Sequence, residues 1–342
     1  MQCLHPICGV VPSNGGRIKL LPQTDYPRGN YPPFGRCVYV PCGKCLPCRI
    51  NRRRELTCLQ ALEAKQASRS NWFLTLTYDD VRYFEYTGDV PYSLVKDHLR
   101  DFCFSLRHHF KHLGRNFRYF ACGEYGEIGE RPHYHLSLFD LDEFDLQLPT
   151  KVSIKDRDRA LNLGKLNTFC DYHLDENGNP VFRSKLIEKF WPFGNYKLCL
   201  ASTDTFQYVA GYVIKKLSGD KLKDFKALGL TPEFLYQSRP SIGYTWWLNN
   251  WQHIFNPEST VRIVNTSIEI DGHIFPIPRI FWKWFETLDA DARSIKDRLL
   301  KIFQKDLPLV PDRGDLARKK RKVDHEVSQF SVPSRGLKGI NQ

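Results

Sequence analysis

Arg131-Pro132-His133-Tyr134-His135-Leu136-Ser137-Leu138-Phe139 places two histidines one residue apart at the head of an alternating apolar run. Alternation with a period of two marks a strand, on which successive side chains point to opposite faces. His133 and His135 therefore share one face and Tyr134 points to the other. Two imidazoles one pleat apart on a rigid strand can grip a single metal ion. A His-x-His pair alone is more often packed or superficial than metal-binding, so its neighbours decide its meaning.

Upstream lies Glu124, nine residues before His133 and just after Phe120-Ala121-Cys122-Gly123. The glycine-rich stretch from Gly123 to Glu130 predicts a hairpin that brings Glu124 opposite the histidines. Two imidazoles and one carboxylate, with positions left open for water, suit a catalytic divalent ion. For a phosphate substrate that ion is Mg2+ or Mn2+. Glu127 and Glu130 are rival carboxylates that read as solvating the turn.

Downstream, Tyr208-Val209-Ala210-Gly211-Tyr212-Val213-Ile214-Lys215-Lys216 carries two tyrosines at i and i+4, one face of a helix. Aromatic pairs at that spacing usually belong to a core. Three details weigh the other way: Gly211 permits a close approach, each phenol brings a hydroxyl that Phe would not, and Lys215 and Lys216 can steady a phosphate. Tyrosine is a covalent nucleophile, and its attack on a phosphodiester leaves a phosphotyrosine and a free hydroxyl.

Cys42-Gly43-Lys44-Cys45-Leu46-Pro47-Cys48 places three thiols in seven residues. One further ligand closes a tetrahedral structural Zn2+ site; Cys3 is the first choice, with His5, Cys8 and Cys37 as alternatives. The chain has 11 cysteines and no apolar signal core, so its thiols are expected to be reduced. Cys58, Cys103, Cys122, Cys170 and Cys199 read as small core residues.

Fifty Lys+Arg against 38 Asp+Glu give a net charge of +12, which favours an anionic partner such as nucleic acid. The charge clusters at Arg49, Arg52, Arg53 and Arg54, at Lys215 and Lys216, and at Arg318-Lys319-Lys320-Arg321-Lys322, a run resembling a nuclear localisation signal or a basic arm. No apolar run is long enough to span a bilayer, so no membrane partner is expected. The chain is expected to stay in the compartment where it is made.

With 342 residues the chain can bury a sizeable core. Residues 1–68 form a cysteine-rich segment and a basic helix from Leu46 to about Ser68. Residues 69–218 hold a strand over 71–78, a helix over 93–113 with Ser93 as N-cap, strands over 116–122 and 133–139, and a helix over 203–217. An irregular, charged insertion covers 140–195, with a turn at Glu176-Asn177-Gly178-Asn179-Pro180. Residues 219–310 are aromatic-rich, with Trp246, Trp247, Trp251, Trp282 and Trp284, and helical periodicity returns over 289–305. Residues 311–342 read as a basic, disordered tail. The order of elements predicts an α+β domain, an antiparallel sheet with helices packed on one face and the other face open to a ligand.

These motifs together resemble a replication initiator of the HUH endonuclease superfamily, and more closely those of gokushoviruses, small single-stranded-DNA phages of the microvirus family. The likeness is carried by Pro41–Arg49, Phe73–Asp80, Cys122–Glu127, Arg131–His135 and Tyr208–Lys216, in that order, and fades after about residue 217. It implies an HUH nicking domain over 69–218, with His133, His135 and Glu124 as metal ligands and Tyr208 and Tyr212 as nucleophiles. Tyr134 stands where the family usually has a large hydrophobe, and Asp79 is a candidate in the first motif. The resemblance implies rolling-circle initiation in the cytoplasm of the bacterial host. Single-stranded or melted origin DNA would lie on Lys215, Lys216, Arg49, Arg52 and Arg53, and a host polymerase and helicase would extend the nicked strand. The alternatives are a non-catalytic, zinc-stabilised DNA-binding protein, or a relaxase or transposase using the same chemistry.

Overall fold

The structure, a computed structural model, describes residues 3–12, 18–21, 35–87, 92–126, 131–141, 173–174, 180–182, 184–215, 223, 227–254 and 267–288. In chain order the strands are β1 (Ile7–Pro12), β2 (Lys19–Leu20), β3 (Gly35–Val40), β4 (Ser70–Tyr78), β5 (Arg118–Tyr125), β6 (Pro132–Leu141), β7 (His173–Leu174), β8 (Pro180–Val181), β9 (Gly194–Leu200), β10 (Phe234–Gln237), β11 (Ser267–Ile270) and β12 (His273–Pro276). The helices are α1 (Leu46–Gln66), α2 (Asp80–Thr87), α3 (Lys96–His112), α4 (Lys185–Phe190), α5 (Thr203–Lys215), α6 (Tyr244–Ile254) and α7 (Arg279–Phe285). Two compact units emerge: described residues up to Arg53 together with 279–288, and those from Arg54 to Ile254 together with 267–278.

In the first unit β1 pairs antiparallel with both β2 and β3, giving the order β2-β1-β3. The start of α1 follows directly on Cys45, and α7 buries Phe281 and Phe285.

The second unit is α+β. Its five-stranded sheet has the order β10-β5-β6-β4-β9, with every neighbouring pair antiparallel. Period-two alternation sorts the side chains. Trp72, Leu74, Leu76 and Tyr78 of β4, Tyr134, Leu136 and Leu138 of β6, Tyr119 and Ala121 of β5, and Tyr196 and Leu198 of β9 share a core. Into it α3 inserts Leu99, Phe102, Cys103, Leu106 and Phe110, the helical stripe legible in the sequence. Each such large apolar side chain contributes about 1.5–3 kcal/mol by leaving water.

The opposite face is also covered, which corrects the expectation of helices on one face only. Gln60 of α1 accepts a hydrogen bond from Ser137 Oγ at 2.7 Å and donates to the Phe206 carbonyl of α5 at 3.1 Å. The Phe206 ring lies 5.7 Å from that of Phe139. Phe73, Phe120 and Phe139 on this face are buried, so β4 and β6 bury both sides along most of their length. Polar residues interleaved with these rings give the strands a one-sided look in sequence.

Three local outcomes differ from expectation. Ser93 does not cap α3; Val95 takes the N-cap position without a side-chain bond, while Ser93 Oγ accepts from the Thr231 amide at 2.8 Å and pairs with Tyr125 Oη at 3.1 Å. Within the stretch read as insertion, α4 forms and β9 begins, β9 being an edge strand of the sheet. Gly194 is required at its start, because a Cβ there would lie 2.3 Å from the Asp79 amide nitrogen and the Thr77 carbonyl. The helix read over 289–305, the tail from 311 and its basic run at 318–322 lie outside the described residues. Among the described residues no helix is long and apolar enough to cross a membrane.

Candidate active site

Register brings the metal-type residues together. In the β5–β6 ladder Glu124 faces His133 and Cys122 faces His135, while in β4–β6 Thr77 faces His133 and Thr75 faces His135. Glu124 Oε1 lies 2.7 Å from His133 Nε2 and 3.1 Å from His135 Nε2, and all three side chains are buried. Burial pushes the Glu124 carboxyl up, but its hydrogen bonds with His133 and His135 outweigh this and hold it below the ordinary glutamate value.

Second partners orient both rings. His133 Nδ1 lies 2.9 Å from the Arg131 carbonyl and His135 Nδ1 lies 2.9 Å from Thr75 Oγ1. A carbonyl only accepts, so His133 Nδ1 carries a proton, and the Nε2 of a neutral ring is then itself an acceptor. The carboxylate and imidazole 2.7 Å apart share either a proton, as a hydrogen bond, or a cation. The donor set therefore fits a cation, with each ring held in the manner metal-ligating histidines usually are. Glu124, His133 and His135 each offer an atom within 4.8 Å of the others.

Helix α5 begins with a reciprocal cap: Ser202 Oγ accepts from the Thr205 amide, and Thr205 Oγ1 accepts from the Ser202 amide at 2.8 Å. It carries both phenols to the imidazoles. The Tyr212 ring lies parallel to His135, centroids 5.4 Å apart and planes within 4°, and Tyr208 meets the same imidazole edge-on at 5.1 Å. The two phenols lie 5.4 Å apart, edge to face. Tyr212 is buried and Tyr208 half-buried. Burial first, and the Glu124 charge second, push the Tyr212 phenol well above its ordinary value.

Sequence reasoning does not single out Phe73 or Thr75 as site residues. Phe73 lies parallel to His135 at 5.6 Å and edge-on to Tyr208 at 5.9 Å. Phe73 and Thr75 occupy alternate positions of the strand beside His-x-His, and that adjacency is the signal that could find them. Asp79 is not in the metal-type group; its Oδ1 accepts from the Arg82 amide at 3.3 Å in the first turn of α2. Tyr134 points into the opposite core, where its hydroxyl lies 2.7 Å from that of Tyr78.

Of the basic residues, Arg49 donates from Nε to the Lys44 carbonyl at 2.9 Å, and Arg52 and Arg53 are half-buried. The side chain of Lys215, and Lys216, Glu127, Glu130 and Cys170, lie outside the described residues. Cys3, Cys42, Cys45 and Cys48 form a second group with sulfurs within 4.8 Å of one another. His5 and Cys8 are not part of it, and the Cys37 side chain lies outside the described residues.

Residues 71–217, which contain Glu124, His133, His135, Tyr208 and Tyr212, match the family of replication-associated proteins described by the name ORF2. This segment is therefore similar to members of that family. The chain is 31% identical over 243 residues to the replication-associated protein ORF2 of Spiroplasma virus 4, covering 71% of this chain and 66% of the relative. It is 26% identical over 287 residues to the replication-associated protein VP4 of Bdellovibrio phage phiMH2K, covering 80% and 76%. A replication-associated protein ORF4 of Chlamydia phage 1 is 29% identical over 178 residues, covering 52% of this chain and 38% of that relative. The family segment spans β4 to the end of α5, so the matched region and the site coincide.

Proposed function

We propose that this chain is a replication initiator of the HUH type, an endonuclease that nicks single-stranded or melted phage origin DNA through Tyr208 or Tyr212 and rejoins the displaced strand. The observation that carries the reading is the placement of both phenols against His135, whose Nε2 faces Glu124. A core helix has no need of two phenols beside a buried carboxylate–imidazole cluster, whereas a phosphodiester nuclease needs nucleophile and cation-binding groups in one place. The relatives are named for replication, and the net charge of +12 suits a polyanion.

Glu124, His133 and His135 would hold Mg2+ or Mn2+, which supplies Lewis-acid polarisation of the scissile phosphate. Thr75 and the Arg131 carbonyl keep the two imidazoles turned toward Glu124. The phenol oxygen of one tyrosine bonds to phosphorus as the P–O3′ bond breaks. The phenolic proton ends on the departing oxygen, so the products are a 5′-phosphotyrosine and a free 3′-hydroxyl. That hydroxyl is the primer for a host polymerase acting with a helicase in the host cytoplasm. The second tyrosine can cut the regenerated origin while the first is occupied, and the freed 3′-hydroxyl then displaces a tyrosine to close the circle.

The test is incubation of the full chain with single-stranded phage-origin DNA and Mn2+. The expected product is a denaturation-resistant protein–DNA adduct that His133→Ala abolishes while DNA binding persists, because phosphate attraction comes from dispersed basic groups. Binding with no adduct under any metal would leave a DNA-binding module instead.

A further inference from the structure

We propose that Cys3, Cys42, Cys45 and Cys48 form a tetrathiolate zinc site that fastens the N-terminal segment to the start of α1. None of these ligands takes part in the nicking chemistry, so this inference stands apart from it. The sulfurs of Cys3 and Cys45 are 3.7 Å apart, and all four sulfurs lie within 4.8 Å of one another. A tetrahedral zinc with bonds of about 2.3 Å separates its sulfurs by about 3.8 Å, whereas a disulfide needs about 2.05 Å. The observed spacing is that of ligands around an ion, and all four cysteines are free thiols.

The backbone around the sulfurs is arranged for anionic acceptors. The Cys42 amide donates to Cys3 Sγ at 3.2 Å, and the Lys44 and Cys45 amides donate to Cys42 Sγ at 3.4 and 3.3 Å. This turn is possible because Gly43 sits at φ +71°, in the left-handed region that favours glycine. Cys45 immediately precedes α1 and Cys48 lies in its first turn, so the positive end of the helix faces the thiolates. Arg49 Nε closes the loop onto the Lys44 carbonyl. Four thiols gathered without an ion would pack poorly, since sulfur packs no better than a methyl group and neighbouring thiolates repel one another. Zinc resolves both problems and joins positions 42 residues apart in sequence.

The experiment is metal analysis of the full chain purified without chelator, done on the wild type and on a His133→Ala, His135→Ala variant that lacks the other metal-type group. Zinc equimolar with chain in both, retained on dialysis, is the expected result. Titration of the wild-type protein with an organomercurial should then release that zinc as Cys3, Cys42, Cys45 and Cys48 react, read by a colorimetric zinc indicator and peptide mapping. The titration needs no substitution, so it does not depend on a cysteine variant folding. Purified chain without zinc, iron in its place, or a Cys3–Cys45 disulfide in the peptide map would overturn the proposal. Loss of zinc in the double-histidine variant alone would assign it to the other group and overturn it equally.

Discussion

The imidazole of His135 and the phenol of Tyr212 lie face to face, centroids 5.4 Å apart and planes within 4°. This stack packs the α5 helix against the β6 strand, so a nucleophile candidate and a metal-ligand candidate lie side by side. Phenylalanine keeps the ring and removes only the hydroxyl. Tyr208→Phe is expected to lower first-cleavage adduct more than Tyr212→Phe, because Tyr208 is half-buried, whereas Tyr212 is buried and its phenol, pushed well above its ordinary value, gives up its proton at greater cost. The double variant should form none. Labelled oligonucleotide on a denaturing gel measures all three.

On the proposed reading, Thr75 is a positioning residue for His135. Its Oγ1 meets His135 Nδ1 at 2.9 Å, so Thr75→Val removes the hydrogen bond that sets the tautomer and tilt of the ring. Mn2+ affinity should fall about 10–100-fold, as for other outer-shell partners of metal ligands. Calorimetric titration with Mn2+ checks this, with unchanged DNA affinity as the control. Thr75→Ser, which keeps the hydroxyl, should restore most of the affinity.

Cysteine reactivity should divide sharply in metal-free protein. Burial raises the Cys42 thiol, but the Cys45 and Lys44 amides outweigh it and bring it down to about 7, whereas burial pushes Cys58 and Cys103 up to about 12. A thiolate is the reactive form, so Cys42 alkylation should accelerate as pH rises through about 7 and then level off. Cys58 and Cys103 should remain unmodified in the folded chain across that range. Iodoacetamide labelling read by peptide mass spectrometry measures this, and added zinc should protect Cys42.

Tyr134→Phe separates the two faces of β6. The Tyr134 hydroxyl accepts from the Val95 amide at 2.8 Å and donates to the Val95 carbonyl at 2.9 Å, and Tyr78 lies beside it. Losing it leaves buried groups without their partner, a cost of about 1–3 kcal/mol in urea unfolding. Metal affinity should not change, since Tyr134 points away from His133 and His135.

How much of the fold and the site is legible in the sequence depends on how local each feature is. His133 and His135 share a face because a strand has period two, and Tyr208 and Tyr212 share one because a helix has period near 3.6. Neither needs tertiary information. Glu124 is reachable because a short hairpin sets its register against His133. Thr75 is not, since its pairing with His135 joins strands 60 residues apart. The covered second face is hidden because Phe73, Phe120 and Phe139 alternate in sequence with the core residues of the first. Strand β9 alternates buried Tyr196 and Leu198 with Asn195 and Lys197, yet it follows a long charged stretch that hides the pattern. Ser93 has the composition of a cap, but Tyr125 and Thr231, distant in sequence, claim its hydroxyl.

Mass spectrometry of the peptide left on origin DNA after cleavage tests the nicking chemistry most directly. The predicted result is a 5′-phosphate ester on Tyr208 or Tyr212, formed only with a divalent ion and absent from His133→Ala protein. Cleaved DNA bearing a free 5′-phosphate with both tyrosines unmodified, or an adduct at any other residue, would contradict it.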